Sequence, residues 1–226
     1  MNSVVNQTVA VVDYGMGNLR SVYQAVAAAA RALPTQTPVQ VQVTQDPQIV
    51  RQAARVVLPG QGAMPDCMAQ LQATGMRAAV LQAAKSKPLF GVCVGMQMLL
   101  ERSEEGPAEG LGLIAGEVKK FQLDGQLQAD GSRYKVPQMG WNRVFRSTAH
   151  EQHPLWQGID DGAWFYFVHS YQAQVWDAAD CAGETDYGGR FASAVARGNL
   201  FAAQFHPEKS QEQGLQLYRN FLTWQP

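Results

Sequence analysis

The chain reads as an α/β protein: a mixed, mostly parallel central sheet flanked by helices, with an antiparallel extension. Three observations predict this. Short β-branched runs alternate with helix-length segments through the first half, the order that builds a parallel sheet covered on both faces. Several of those runs are apolar without alternation, as strands buried on both faces are. The second half holds strand-like runs with few helices between them, and one amphipathic segment closes the chain.

Residues 8–13 (TVAVVD) form the first such run and end at a glycine-rich turn, YGMGN. Residues 19–33 are alanine-rich and helical, stopped by Pro34. Residues 39–44 (VQVQVT) alternate at period two, as an outer strand does. Asp46 is placed to cap a short helix over 47–54, with Pro47 at its first position. Residues 55–58 (RVVL) are a strand running into PGQG. Residues 66–85 are helical, with a break at Thr74-Gly75. A strand over 88–92 leads to a helix over 95–102. Strands are then expected over 111–121, 143–146, 164–171, 191–196 and 200–205. Leu215, Leu217, Tyr218, Phe221 and Leu222 give residues 211–224 a near-helical spacing. No linker or repeat divides the chain, so one domain over 1–226 is expected.

Composition excludes several classes. A chain of 226 residues can bury a sizeable core, and 46% hydrophobic with 16% charged residues lies far from disorder. A net charge of −1 supplies no global field for nucleic acid or an acidic membrane. Cys67, Cys93 and Cys181 make neither a CxxC pair nor an even disulfide set, which points to a reducing compartment. The first fifteen residues lack a basic, apolar leader, and no apolar stretch is long enough to span a membrane. The expectation is a cytoplasmic protein with no metal, no cofactor, no nucleic-acid partner and no membrane partner. Gly15-Met16-Gly17 has Arg20 where a dinucleotide fingerprint needs its third glycine. The histidines show no ligand spacing, and HEQH at 150–153 reads as solvated loop.

Three segments carry chemistry. Phe90-Gly91-Val92-Cys93-Val94-Gly95 is a strand, a cysteine between glycines, and a helix start. That is the pattern of a nucleophile elbow with Cys in the serine position. It exposes Cys93 at a helix N-terminus, where the dipole favours the thiolate. A free cysteine is more often a small buried hydrophobe; that plainer reading holds for Cys67 and Cys181, and the glycines overturn it for Cys93. In Gln204-Phe205-His206-Pro207-Glu208 an apolar strand delivers His206 to its end, and Glu208 is close enough to hold its tautomer. Pro59-Gly60-Gln61-Gly62, at another strand end, would let backbone N–H groups approach an oxyanion. Alone it is an ordinary turn.

Together these segments resemble the class I (triad) glutamine amidotransferases, over nearly the whole chain. Asp13–Leu19 (DYGMGNL), Gly91–Gln97, Pro137–Asn142 (PQMGWN), Phe165–Tyr171 (FYFVHSY) and Gln204–Ser210 (QFHPEKS) carry the resemblance. It implies a flavodoxin-like fold, L-glutamine as substrate, Cys93 as nucleophile, His206 as base and Glu208 as its orienter. It further implies that Gly60, Gly62 and Val94 form the oxyanion region. Gln97 with the Ser170-Tyr171 backbone would hold the α-amino and α-carboxylate groups. The DYGMGN, MGWN and FVHSY segments narrow the resemblance to one branch of the family. There the glutaminase forms a heterodimer with a (β/α)8-barrel cyclase subunit that receives the ammonia, and Asn18, Met139, Trp141 and Asn142 would face it. Two positions depart from the family's pattern: Gln61 replaces valine in the oxyanion loop, whose peptide-plane rearrangement is held to gate activity, and Gln138 replaces a common histidine. Competing readings are a glutaminase serving another synthase, a self-sufficient γ-glutamyl hydrolase, and a non-catalytic subunit that kept the fold.

Overall fold

The computed structural model describes residues 7–34 and 38–226. The leader expectation rests partly on residues 1–6, which lie outside the described residues. The first half builds β1 (Gln7–Val12), α1 (Leu19–Arg31), β2 (Val39–Thr44), α2 (Pro47–Gln52), β3 (Arg55–Gly60), α3 (Met64–Ala73), α4 (Met76–Ala83), β4 (Leu89–Cys93) and α5 (Val94–Gln97). The second half adds β5 (Arg102–Ser103), β6 (Ala108–Glu109), β7 (Gly116–Lys120), β8 (Gln138–Arg146), β9 (Ala163–His169), β10 (Tyr171–Val175), β11 (Cys181–Asp186), β12 (Arg190–Arg197), β13 (Leu200–Ala203) and α6 (Gln211–Thr223).

The central strands run β2-β1-β3-β4-β13 and are parallel throughout. This is the flavodoxin-like order with β13 in the fifth place. Beyond β13 the sheet continues as β12, β10 and β7, each antiparallel to its neighbour. From β12 a second path leads through β11 and β8 to β9, again antiparallel. Every residue of β3, β4 and β13 is buried, which is why their sequences show no alternation. α1 buries Val22, Ala25, Val26 and Ala29, one stripe at helical spacing, and packs beside α6. α2 packs against α4. Phe90 of β4 joins the sheet to α6, its ring 5.3 to 5.5 Å from Phe201, Tyr218 and Phe221.

Local signals explain several boundaries. Asp46 accepts a hydrogen bond from the Gln48 N–H at 2.8 Å and starts α2. Gly75, at φ +72°, separates α3 from α4, a conformation costly for any residue with a Cβ. Other expectations are corrected. The helix placed over 95–102 stops at Gln97. The carbonyls of Met98, Leu99 and Leu100 instead accept from the N–H groups of Leu111 to Ile114, so three consecutive apolar side chains are all buried. For the same reason the strand expected over 111–121 begins only at Gly116. The run 164–171 divides at Ser170, because β9 pairs with β8 whereas β10 pairs with β7. β11 has no counterpart among the expected strands. HEQH is solvated at Glu151 and Gln152 but not at its end: the His153 ring packs 5.2 Å from both Phe201 and Trp224, and its Nδ1 accepts from Leu155 N. No helix among the described residues is long and apolar enough to cross a membrane.

Candidate active site

The carboxyl ends of β1, β3, β4 and β13 converge, where ligands bind in sheets of this order. Cys93 ends β4, opposite Gly60 at the end of β3. It adopts φ +55° and ψ −113°, a backbone state costing a non-glycine residue about 1–3 kcal/mol. The flanking glycines act through close approach, not through the turn itself. A Cβ on Gly95 would lie 1.9 Å from the Leu58 carbonyl oxygen, and one on Gly91 2.9 Å from both Ala202 Cβ and the Gly95 oxygen. A Cβ on Gly60 would meet the Gly95 nitrogen at 2.7 Å. α5 is thereby pressed onto the sheet. Contrary to the expected exposed thiol, Cys93 is 5% exposed. The helix behind it is only four residues long, so its dipole contributes little.

The partner of the thiol is His206. It follows β13, and its N–H donates to the Tyr166 carbonyl at 2.9 Å. Ser210 Oγ pins the turn, donating to the His206 carbonyl at 2.7 Å and accepting from Tyr166 N at 3.0 Å. Nδ1 meets Glu208 Oε1 at 2.8 Å, with both side chains buried. Since a carboxylate only accepts, Nδ1 carries a proton. The buried Nε2 has no conventional partner among the described residues. Burial pushes His206 down, but the Cys93 sulfur and Glu208 outweigh it and lift the imidazole to about 10. The protonated ring is therefore favoured beside a charged sulfur.

Cys93 and His206 line a cavity of about 280 Å³ with Asn18, Gln61, Gly62, Val94, Gln97, Ser170 and Tyr171 on its walls, and Glu208 lies behind His206. It is at the small end for ligand sites and suits a small polar molecule. Gly62 is at φ +92°, and the neighbouring Gln61 carbonyl accepts from the Cys67 thiol at 3.3 Å. Tyr14 Oη donates to the Pro59 carbonyl at 2.8 Å. Gly60 packs behind the wall and does not line it. Gln97 is 3% exposed rather than a surface residue, and its Nε2 donates to the Tyr171 carbonyl at 3.3 Å and to Gln204 Oε1 at 3.0 Å. A larger groove of about 740 Å³ lies between residues 145–149 and 178–190. Its one thiol, Cys181, is pushed up to about 11 by burial, so it lacks an activated nucleophile.

The sequence profile of the family "Glutamine amidotransferase class-I" matches residues 10–224. The chain belongs to the class-I glutamine amidotransferases. It is 54% identical over 218 residues to "Imidazole glycerol phosphate synthase subunit HisH" of Aromatoleum aromaticum, covering 96% of this chain and 99% of that protein. The protein of the same name in Dechloromonas aromatica is 53% identical over 224 residues, covering 99% and 100%. Among solved structures, the glutaminase domain of Trypanosoma brucei CTPS with bound acivicin superposes with a TM-score of 0.66 at 18% identity, covering 96% of this chain and 92% of that one. A glutamine amidotransferase from Thermotoga maritima gives 0.56 at 12% identity, covering 96% and 84%. At such identity these neighbours speak to the amidotransferase fold alone.

On this amidotransferase the residues expected to face a partner separate. Met139 and Trp141 are exposed on β8, at 66% and 44%; Trp141 meets Tyr166 edge-on and is not a core aromatic. Asn142 is committed within the chain, donating to the Asp186 carbonyl and accepting from Arg143 N. Asn18 lines the cavity itself. Three side chains near the site escape sequence reasoning: His169, Gln138 and Gln204. His169 is buried, with Nδ1 2.7 Å from the Tyr171 carbonyl and Nε2 2.9 Å from the Gln138 carboxamide; burial pushes it down to about 4, so the ring is neutral, Nδ1 donates to the carbonyl, and Nε2 accepts from the Gln138 amide end. Gln138 thus has a structural task. Gln204 lies two residues before His206, and strand alternation would have placed both on one face.

Proposed function

We propose that this chain is the glutaminase subunit of imidazole glycerol phosphate synthase in histidine biosynthesis, with Cys93, His206 and Glu208 as its catalytic triad. The observation that carries the chemistry is the strained Cys93 facing a His206 whose other nitrogen is held by Glu208. The full-length similarity to the HisH subunits supports the pathway.

The Cys93 thiolate attacks the side-chain amide carbon of L-glutamine, and the carbonyl oxygen becomes an oxyanion. Backbone N–H groups around Gly62 and Val94, with Gly60 holding the strand end in place, stabilise that charge. Imidazolium His206 gives its Nε2 proton to the departing nitrogen, which leaves as ammonia. A γ-glutamyl thioester remains. Neutral His206 then takes a proton from water at Nε2, the hydroxide adds to the thioester, and collapse releases glutamate and restores the thiolate. Glu208 stabilises the imidazolium in both steps. The Oε1 of Gln97 accepts no bond among the described residues and faces the cavity, which suits an α-ammonium group. The Tyr171 carbonyl already serves Gln97 and His169, which leaves N–H and hydroxyl groups at Ser170-Tyr171 for the α-carboxylate.

Ammonia then passes to a (β/α)8-barrel cyclase that forms imidazole glycerol phosphate and aminoimidazole carboxamide ribotide. The exposed Met139 and Trp141 would meet it. The test is glutamate release by wild type and Cys93→Ala, each alone and with the cyclase and its nucleotide ligand. Wild-type activity that rises in the complex, with Cys93→Ala inactive throughout, is the expected result. Full activity in Cys93→Ala would remove the triad from the mechanism, and no response to the cyclase would remove the pathway.

A further inference from the structure

Gln204 is wholly buried beneath the cavity floor, at 0% exposure, where a carboxamide must satisfy both of its ends. Which end faces which neighbour follows from one backbone carbonyl. The Tyr171 oxygen can only accept, so the amide nitrogen of Gln97 must be the end that points to it, at 3.3 Å. The second hydrogen on that nitrogen reaches Gln204 at 3.0 Å, which requires Oε1 of Gln204 on that side. The Nε2 of Gln204 is then turned toward Cys93, 3.8 Å from its sulfur. Reversing Gln204 would set two NH2 groups against each other. His169 Nδ1–H reinforces the starting point, because it donates to the same Tyr171 carbonyl at 2.7 Å.

Resting on the reading of Cys93 as nucleophile, we propose that Gln204 is a further catalytic residue: its side-chain N–H donates to the Cys93 sulfur, stabilises the thiolate, and couples it through Gln97 to the substrate's α-ammonium group. Cys93 is buried at 5% exposure, so a charge formed on its sulfur needs donors beyond His206, and a donor to an anion outweighs one to a neutral acceptor. The coupling has a direction. A cation at Gln97 Oε1 polarises that amide, Gln97 Nε2 binds Gln204 Oε1 more strongly, and Gln204 becomes the better donor to sulfur. Substrate binding thereby strengthens the nucleophile's support.

The test reads the thiol of the whole chain without glutamine. Gln204→Met keeps the length and removes the donor. Alkylation of Cys93 by iodoacetamide, followed by peptide mapping to separate it from Cys67 and Cys181, should slow about tenfold below the midpoint of the wild-type pH–rate profile, the weight of one hydrogen bond to a charged acceptor. It should return to the wild-type rate in alkaline solution. A packing role alone would slow alkylation equally at every pH, and that result, or a profile superimposable on wild type, overturns the proposal. The KM for glutamine should rise as well, because Gln97 loses its anchor. A second measurement does not depend on the variant folding. In wild type one glutamine side-chain NH2 pair should shift in NMR spectra as pH is varied, and the shift should vanish in Cys93→Ala; no such pair overturns the proposal. The glutaminase assay of Cys93→Ala decides the nucleophile separately, so either idea can fail alone.

Discussion

Gly95→Ala probes the packing that presents Cys93, the proposed nucleophile. The new Cβ would lie 1.9 Å from the Leu58 carbonyl oxygen. Real Cβ contacts essentially never fall below 3.0 Å, so something must move by roughly 1 Å. Leu58 belongs to β3, which is paired on one side with β1 and on the other with β4, so the strand is the stiffer partner. α5 moves instead, taking Val94 and the Cys93 sulfur with it. Overpacking of this kind costs about 1–3 kcal/mol of stability, and misplacing a reacting group by 1 Å costs about 100-fold in rate. The control is Gly75→Ala, remote from the site, where space is open but φ is +72°; it should lose a similar stability, about 1–2 kcal/mol, with unchanged activity. Urea unfolding gives the stability, and glutamate release in the cyclase complex gives kcat/KM. A folded Gly95→Ala protein with wild-type kcat/KM would refute the argument that these glycines set the nucleophile's position.

Other outcomes follow from the same geometry. Glu208→Gln keeps the shape but puts an amide at Nδ1, and kcat should fall about 100-fold or more while urea stability falls by about 1–3 kcal/mol, because a buried pair loses one charge; near-normal turnover would show that Nδ1 needs no carboxylate. Burial, with His150 beside it, pushes His153 from 6.5 down to about 4. The folded state therefore prefers the neutral ring, and its stability is complete above pH 6.5 and lost as pH falls toward 4. His153→Phe should flatten part of that acid slope in Tm against pH, while His169, pushed down in the same way, keeps another part of it; an unchanged slope counts against it. Trp141→Ala should leave the free chain within about 0.5 kcal/mol of wild type yet weaken cyclase binding by about 2 kcal/mol, measured by calorimetry, and unchanged affinity would take Trp141 out of the interface.

Much of this was legible in the residues because the relevant signals are local. The unalternating runs at β1, β3 and β4, the Asp46 cap and the Thr74-Gly75 break each act within a few residues, and all stand in the structure. The placing of Cys93 and His206 at strand ends, with Glu208 against His206, was visible because a strand end followed by a given side chain is also a local pattern. What failed depends on distant partners. The segment 98–100 has helical composition, but its carbonyls are claimed by residues 111–114. Ser170 divides one apolar run into two strands because two different strands wait on either side. Burial of Cys93, Gln97 and Gln204 cannot be read from their types, since each is set by how closely α5 approaches β3 and β13.

The insertion of β13 between β4 and β12 has a consequence for how the reactive pair comes into being. Cys93 lies on a strand completed early in the chain, whereas His206 arrives 113 residues later by sequence number, just after the strand that must dock against β4's open edge. Such a long-range pairing is slow relative to local helix formation. During synthesis the first half can therefore assemble its own sheet while the thiol has no base beside it. With the proposed triad, chemical competence would wait until the final strand closes the gap, so the order of the chain itself would keep the thiol idle while the molecule is incomplete.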